Sequence, residues 1–152
     1  MHLLPRLFYR LARVRWRITR PVTLGVRLLL VREGNVLLVR HTYQPYWFLV
    51  GGGVRRGETL EQAARREAAE EVGARLGELR LLGVYTNFLD YKSDHVVVFA
   101  CTDFMLSEVE CIEIERHAFF PCGQLPENTA AGHRRRIREY FAGCDAPRFA
   151  VW

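Results

Sequence analysis

Three glutamates, Glu67, Glu70 and Glu71, stand at i, i+3 and i+4 in a stretch with helical patterning, so their carboxylates project from one helical face. Like charges at that spacing repel by about 0.2–0.5 kcal/mol per pair unless a cation sits among them. Magnesium suits the position, because it prefers oxygen ligands, keeps several waters and binds through a few carboxylates together with substrate phosphates. Just upstream, Gly51-Gly52-Gly53 allows the close backbone approach found in phosphate-binding turns. An isolated E-x-x-E-E would read as a wet helix face. Beside a glycine loop it reads as a place for a divalent cation and a phosphorylated ligand.

The elements that must hold these residues follow from local signals. Thr59-Leu60-Glu61-Gln62 is a capping box and Gly73 suits a left-handed C-terminus, so a helix is predicted over Thr59 to Val72. Val22 to Val31 and Val36 to Arg40 read as a hairpin around Glu33-Gly34-Asn35, and Tyr46 to Val50 as a short strand running into the glycines. Further strands are predicted at Leu79 to Phe88, His95 to Thr102 and Ile114 to Phe120, with a turn at Lys92-Ser93-Asp94. A last helix covers Ala131 to Phe141. Strands and helices in this order imply a mixed α/β sheet covered on its faces, without a regular βαβ repeat.

A basic amphipathic helix is expected over residues 3 to 17, where Leu3, Leu4, Leu7, Phe8, Leu11 and Val14 recur at helical spacing and Pro21 lies just beyond. Residues 1 to 20 are set apart as this helix and residues 21 to 152 as the main domain. The apolar stripe packs on the domain or on a second copy in a homodimer, or, with its arginines and Trp16, meets an anionic lipid surface as a peripheral contact. The net charge of +5 belongs to this segment: six of the 22 basic residues lie there, leaving 16 to set against all 17 acids. A nearly neutral body argues against a stable nucleic-acid partner, since such binding is driven by neutralising phosphates. The four cysteines show neither C-x-x-C pairing nor zinc-finger spacing, and no apolar run is long enough to span a bilayer, so a cytoplasmic protein with reduced thiols is expected.

Gly52, Glu58, Arg66, Glu67, Glu70, Glu71 and Gly73 fall on the pattern G-x5-E-x7-R-E-U-x-E-E-x-G-U, where U is apolar and is here Ala68 and Ala74. The stretch from Gly51 to Ala74 therefore resembles the Nudix box, and the likeness extends over roughly residues 21 to 142. It implies the Nudix α/β/α sandwich with a mixed sheet. It also implies a magnesium-dependent, or manganese-dependent, pyrophosphohydrolase that cleaves a P–O–P linkage in a nucleotide-like small molecule. By the resemblance, Glu70, Glu71, Glu67 and the Gly51 carbonyl bind metal, Glu67 is the candidate general base, and Arg66 orients it. Glu58, with Gly52, supports the loop or a second metal.

Substrate choice lies outside the box. Leu89 stands where a proline accompanies ADP-ribose hydrolysis in the family, and Tyr91 stands where a tyrosine accompanies dinucleoside polyphosphates. Tyr91 is accordingly the candidate substrate residue, alongside nucleoside triphosphates as the other reading, and Glu113 is chosen over Glu110 and Glu115 as a late acidic ligand. The three also alternate as one exposed side of a strand would. An ADP-ribose or sugar-nucleotide pyrophosphatase, and a nucleotide-sensing module on the same fold, are the alternatives.

Overall fold

The computed structural model describes residues 19–88, 91–143 and 147–152. The helix expected over residues 3 to 17 lies outside them, as do Leu89 and Cys144. In chain order the elements are β1 (Val22–Arg32), β2 (Asn35–His41), β3 (Trp47–Leu49), α1 (Leu60–Val72), β4 (Ala74–Leu76), β5 (Arg80–Asn87), β6 (Ser93–Cys101), β7 (Phe104–Leu106), β8 (Ile114–Pro121), α2 (Ala131–Phe141) and β9 (Arg148–Val151). A single 3-10 turn, Cys122–Gln124, follows β8 among the described residues.

The β1–β2 hairpin closes through two residues, Glu33 and Gly34, both at positive φ (50° and 76°), the turn whose twist matches that of the strands it joins. Asn35, expected in the turn, already pairs with Arg32. The two strands stay paired only over Val31–Val36 and Arg32–Asn35, and then diverge. β1 runs parallel to β6 from Val22–Ser93 to Leu30–Cys101, while β2 takes β3 on one side and β8 on the other, both antiparallel. β5 and β9 extend the β6 side, giving the order β3-β2-β1-β6-β5-β9 with β8 on β2. Between the diverging strands lies the glycine loop. Val50 O accepts from Leu28 N–H, Gly52 O from Val26 N–H, and Leu24 O from Val54 N–H, each at 2.9 Å.

Alternation along the strands sends side chains to two apolar layers. Val26, Leu28, Leu30, Leu37 and Val39 meet Ala63, Ala64, Ala68 and Val72 of α1 on one face. Leu29, Val31, Val36 and Leu38 meet Ile137 of α2 on the other. Full burial of each Leu or Val contributes about 1.5–3 kcal/mol relative to exposure. Small alanines on the inner side of α1 bring its backbone close to the sheet, with Ala63, Ala64 and Ala68 at 0% exposure. The result is the expected α/β/α sandwich.

Several boundaries differ from the sequence reading. The turn placed at Lys92-Ser93-Asp94 falls earlier, because Ser93 and Asp94 pair with Val22 and Thr23, and the Thr23 hydroxyl donates to Asp94 at 2.6 Å. Glu110 and Glu113 precede β8 and only Glu115 lies within it, so the expected acidic strand side is reduced to one residue. β4, β7 and β9 were not anticipated: two have three residues each, and β9 is exposed throughout. Cys101, Cys111 and Cys122 are free thiols. No helix among the described residues is long and apolar enough to cross a membrane.

Candidate active site

Both ends of α1 are fixed by the residues that predicted them. The Thr59 hydroxyl accepts from Gln62 N–H at 3.1 Å and the Gln62 side chain accepts from Thr59 N–H at 2.8 Å. Gly73 closes the helix at φ 62°, where a Cβ would come 2.1 Å from Ser107 O. With the register locked, the three glutamates face the glycine loop but meet different surroundings. Glu71 is 8% exposed and accepts from Gly51 N–H at 2.9 Å. Glu67 is mostly covered, whereas Glu70 keeps 48% of its side chain in solvent.

Arg66 ties the outer carboxylates together. Its Nε and Nη2 grip Glu58 at 2.7 and 2.9 Å, its Nη1 reaches Glu67 at 2.5 Å and Glu70 at 3.2 Å, and its Nη2 also donates to Gly53 O at 3.0 Å. All five guanidinium donors are thereby engaged. Glu58 in turn accepts from Arg55 N–H at 2.9 Å, so it links α1 to the loop. The hydrogen bonds from Arg66, followed by that from the Arg55 backbone, hold the Glu58 carboxyl down to about 2.

The glycines are required by contact. Gly51 has φ 129°, and a Cβ there would lie 2.3 Å from Val26 O. A Cβ on Gly52 would lie 2.7 Å from the Glu67 carboxylate, so this glycine is what lets Glu67 press against the loop.

Glu71 is the energetically exposed member of the set. Burial pushes its carboxyl up to about 7, against the lowering effects of the Gly51 N–H and Arg27, while Glu67 and Glu113 push it further up. A buried carboxylate beside another carboxylate is costly unless a proton or a cation compensates it. The oxygen donors of Glu67, Glu70 and Glu71 fit a hard divalent ion. They are not already gathered: no three His, Cys, Asp or Glu side chains among the described residues form a ligand cluster. Arg66 bridges Glu67 and Glu70, while Glu71 is turned to the Gly51 N–H.

A second group of residues lies beyond the glycine loop. Arg27 on β1 is half-buried, and burial lowers its pKa, with Glu71 the largest opposing charge and Asp94, Glu67 and Tyr43 following. His41 stacks on Tyr43 at 5.1 Å between centroids and tilts against Phe48 at 5.3 Å. Thr42 N–H donates to Glu113 O at 2.9 Å, which anchors the segment before β8 to the end of β2. The Glu113 charge is felt at Tyr43 as well as at Glu71, so this candidate lies at the rim of the same region. Glu110 is exposed, and Glu115 is committed to Arg40. Tyr91 sits just ahead of Ser93, at φ 64° and 51% exposed. Ser93 pairs with Val22, five positions from Arg27, so Ser93 is roughly 16 Å along the strand from Arg27, and Tyr91 lies ahead of Ser93 in the turn. His133 is structural: its Nδ1 accepts from Leu49 N–H at 3.0 Å, and burial holds its pKa well below the usual value.

From the sequence, Arg27, Arg40 and His41 lie near a hairpin that could face a polyphosphate, with no role given to the histidine, and Tyr43 is one of five aromatics, with Tyr46, Trp47, Phe88 and Tyr91, that could stack a base or fill the core. A signal was present, since one arginine interrupts the aliphatic run of β1, and a charge on a core strand is rarely buried without a task.

A family model, the NUDIX domain, matches residues 20–141. RNA pyrophosphohydrolases of Erwinia tasmaniensis and Serratia proteamaculans are each 44% identical over 61 residues, which is 40% of this chain and 35% of theirs. The chain thus matches about a third of the length of these curated relatives. Among solved structures, a MutT NUDIX hydrolase from Burkholderia pseudomallei superposes with TM-score 0.70 at 27% identity, covering 77% of this chain and 96% of that one. A NUDIX hydrolase from Nitrosomonas europaea gives TM-score 0.67 at 25% identity, covering 86% and 78%. Since the match runs through the sandwich from β1 to α2, and not only along the acidic helix, this chain belongs to the Nudix family, whose hydrolases generally use divalent metal ions.

Proposed function

We propose that the protein is a magnesium-dependent hydrolase, with manganese as the alternative ion, that cleaves the P–O–P linkage of a nucleoside diphosphate joined to a further group. The observation that most supports this reading is Glu71, a buried carboxylate whose pKa is raised to about 7, sharing one helical face with Glu67 and Glu70. In this reading Glu71, Glu70, Glu67 and the Gly51 carbonyl hold the ion. Bound there, a divalent ion supplies charge neutralisation for phosphate oxygens and acidifies water.

The protein's own groups do the rest. Glu67 takes the proton of the attacking water as general base, and the Arg66 contact at 2.5 Å keeps its carboxylate aimed. Arg66 is a positioning residue, itself oriented by the bidentate Glu58. Glu113 is a late acidic residue at the rim, and Tyr91 is a contact for the distal part of a long substrate. The relatives named RNA pyrophosphohydrolases and the solved Nudix hydrolases support P–O–P chemistry, and the substrate itself is left to assay.

The test is a substrate panel with and without magnesium or manganese: nucleoside triphosphates, dinucleoside polyphosphates, ADP-ribose, sugar nucleotides and a 5′-triphosphorylated oligonucleotide. Turnover of at least one compound is expected only with metal. It should be lost in the Glu70→Gln/Glu71→Gln double variant by more than the roughly 10–100-fold that outer-shell changes cost. Unchanged turnover in the folded double variant sinks the assignment. Binding without turnover anywhere favours a nucleotide-sensing module.

A further inference from the structure

Arg27 is held where β1 crosses the glycine loop. The N–H groups on either side of it, Val26 and Leu28, donate to Gly52 O and Val50 O, and its Cα lies 3.1 Å from the position a Cβ on Gly51 would take. By strand alternation its side chain leaves β1 on the face opposite Val26 and Leu28, which pack under α1. Arg27 is half-buried, yet among the described residues no carboxylate comes within ion-pair distance of it. Glu71, Asp94 and Glu67 act on it only at longer range. A covered guanidinium without a paired anion is costly. Its planar fork of donors matches a phosphate group in bidentate fashion.

Beside it stands a surface suited to the other half of a nucleotide. The Tyr43 ring is 43% exposed and backed by His41, whose own far side rests against Phe48. The His41 ring is fixed from below, with Nδ1 buried and the Glu113 backbone acting on the imidazole. Arg27 and Glu71 both act electrostatically on Tyr43, and Arg27 acts on His41, so these groups lie within electrostatic range of one another although they are distant in sequence.

We propose that Arg27 and the His41–Tyr43 ring pair form the nucleotide-holding wall of this site, with the Arg27 guanidinium gripping a substrate phosphate and the open face of Tyr43 stacking on the base. This deepens the hydrolase reading and rests on it for the substrate class, a nucleoside polyphosphate. It assigns recognition to β1 and the β2–β3 connection, outside the box.

The experiment is equilibrium binding in EDTA, by calorimetry, of ADP and of inorganic pyrophosphate to the wild-type chain and to Arg27→Gln, Arg27→Lys and Tyr43→Ala, with thermal unfolding as the folding control. Arg27→Gln is expected to weaken both ligands by roughly tenfold or more. Arg27→Lys should recover part of that loss, as a point charge without the fork. Tyr43→Ala should weaken ADP by about 2–10-fold and leave pyrophosphate unchanged. If Arg27→Gln lowers the unfolding temperature, Arg27→Lys carries the test. Wild-type affinity for both ligands in the arginine variants, equal weakening of both by Tyr43→Ala, or no binding of either to the wild-type chain overturns the wall. Loss of binding in Arg27→Gln with no turnover of any panel compound by the wild-type keeps the wall and fells the hydrolase reading. Turnover with unchanged ADP binding does the reverse.

Discussion

Arg66 spends all five N–H donors on Glu58, Glu67, Glu70 and the Gly53 carbonyl, whereas Arg27, across the same carboxylates, has no anion within ion-pair distance among the described residues. One guanidinium is saturated by neighbours close in sequence and works as a clamp. The other is brought in on a strand and keeps its donors for something else. Glu70 and Glu71 differ in a parallel way: adjacent on one helix, the first is half in solvent and satisfied by two arginines, the second is sealed against the loop and holds one N–H. On the proposed reading, saturation goes with structure and incomplete compensation with the place for substrate and ion.

The contrast breaks most forcefully at the loop between the two regions. Gly51→Ala forces a Cβ against Val26 O at a φ that side chains rarely adopt, and should cost about 3 kcal/mol in chemical denaturation. A loss under about 1 kcal/mol would mean the loop shifts freely and does not hold Glu71 against the sheet.

The next largest effect is the pH dependence of metal-free stability. The Glu71 pKa is raised from 4.5 to about 7, so the folded state binds the proton more tightly than the unfolded chain between those values. Its contribution is fully present below about pH 4.5 and is lost as pH rises through about 7, on the order of 2 kcal/mol after discounting for relaxation of the buried site. Thermal unfolding in EDTA should show this fall, and Glu71→Gln should flatten it. Magnesium should restore stability mainly above pH 7, where the carboxylate is free to ligate. A metal-free profile unchanged by Glu71→Gln would remove the distinction drawn between Glu71 and its neighbours.

The smallest expected effect sharpens the description of Arg66. Arg66→Lys keeps the charge but cannot hold Glu58 bidentately while reaching Glu67, so kcat should fall roughly tenfold with KM little changed. A change confined to KM would place Arg66 on the substrate instead of behind Glu67.

Much of the box is local and so was legible. Thr59, Gln62 and Gly73 predict where α1 starts and stops, because caps are made by residues a few positions apart. The Arg66–Glu67 ion pair was expected from the resemblance to the Nudix box, since adjacent helical residues do not face each other by spacing alone. What escaped was non-local. β6 begins earlier than its own residues suggest, because β1 pairs with it from Val22 onward. β9 has an exposed backbone held by pairing to β5, with no alternation for sequence reading to find.

The sequence by itself determined that three carboxylates share a capped helical face next to a glycine loop, since a helix converts spacing into direction whatever surrounds it. It could not say which of the three is sealed from water, nor that Arg27 stands over them. Those facts depend on β1 and β2 parting after two pairs and the loop from Val50 to Val54 filling the gap, which joins residues 24 to 28 to residues 50 to 54. Burial and long-range charge are sums over the whole assembly, so only the tertiary structure decided them.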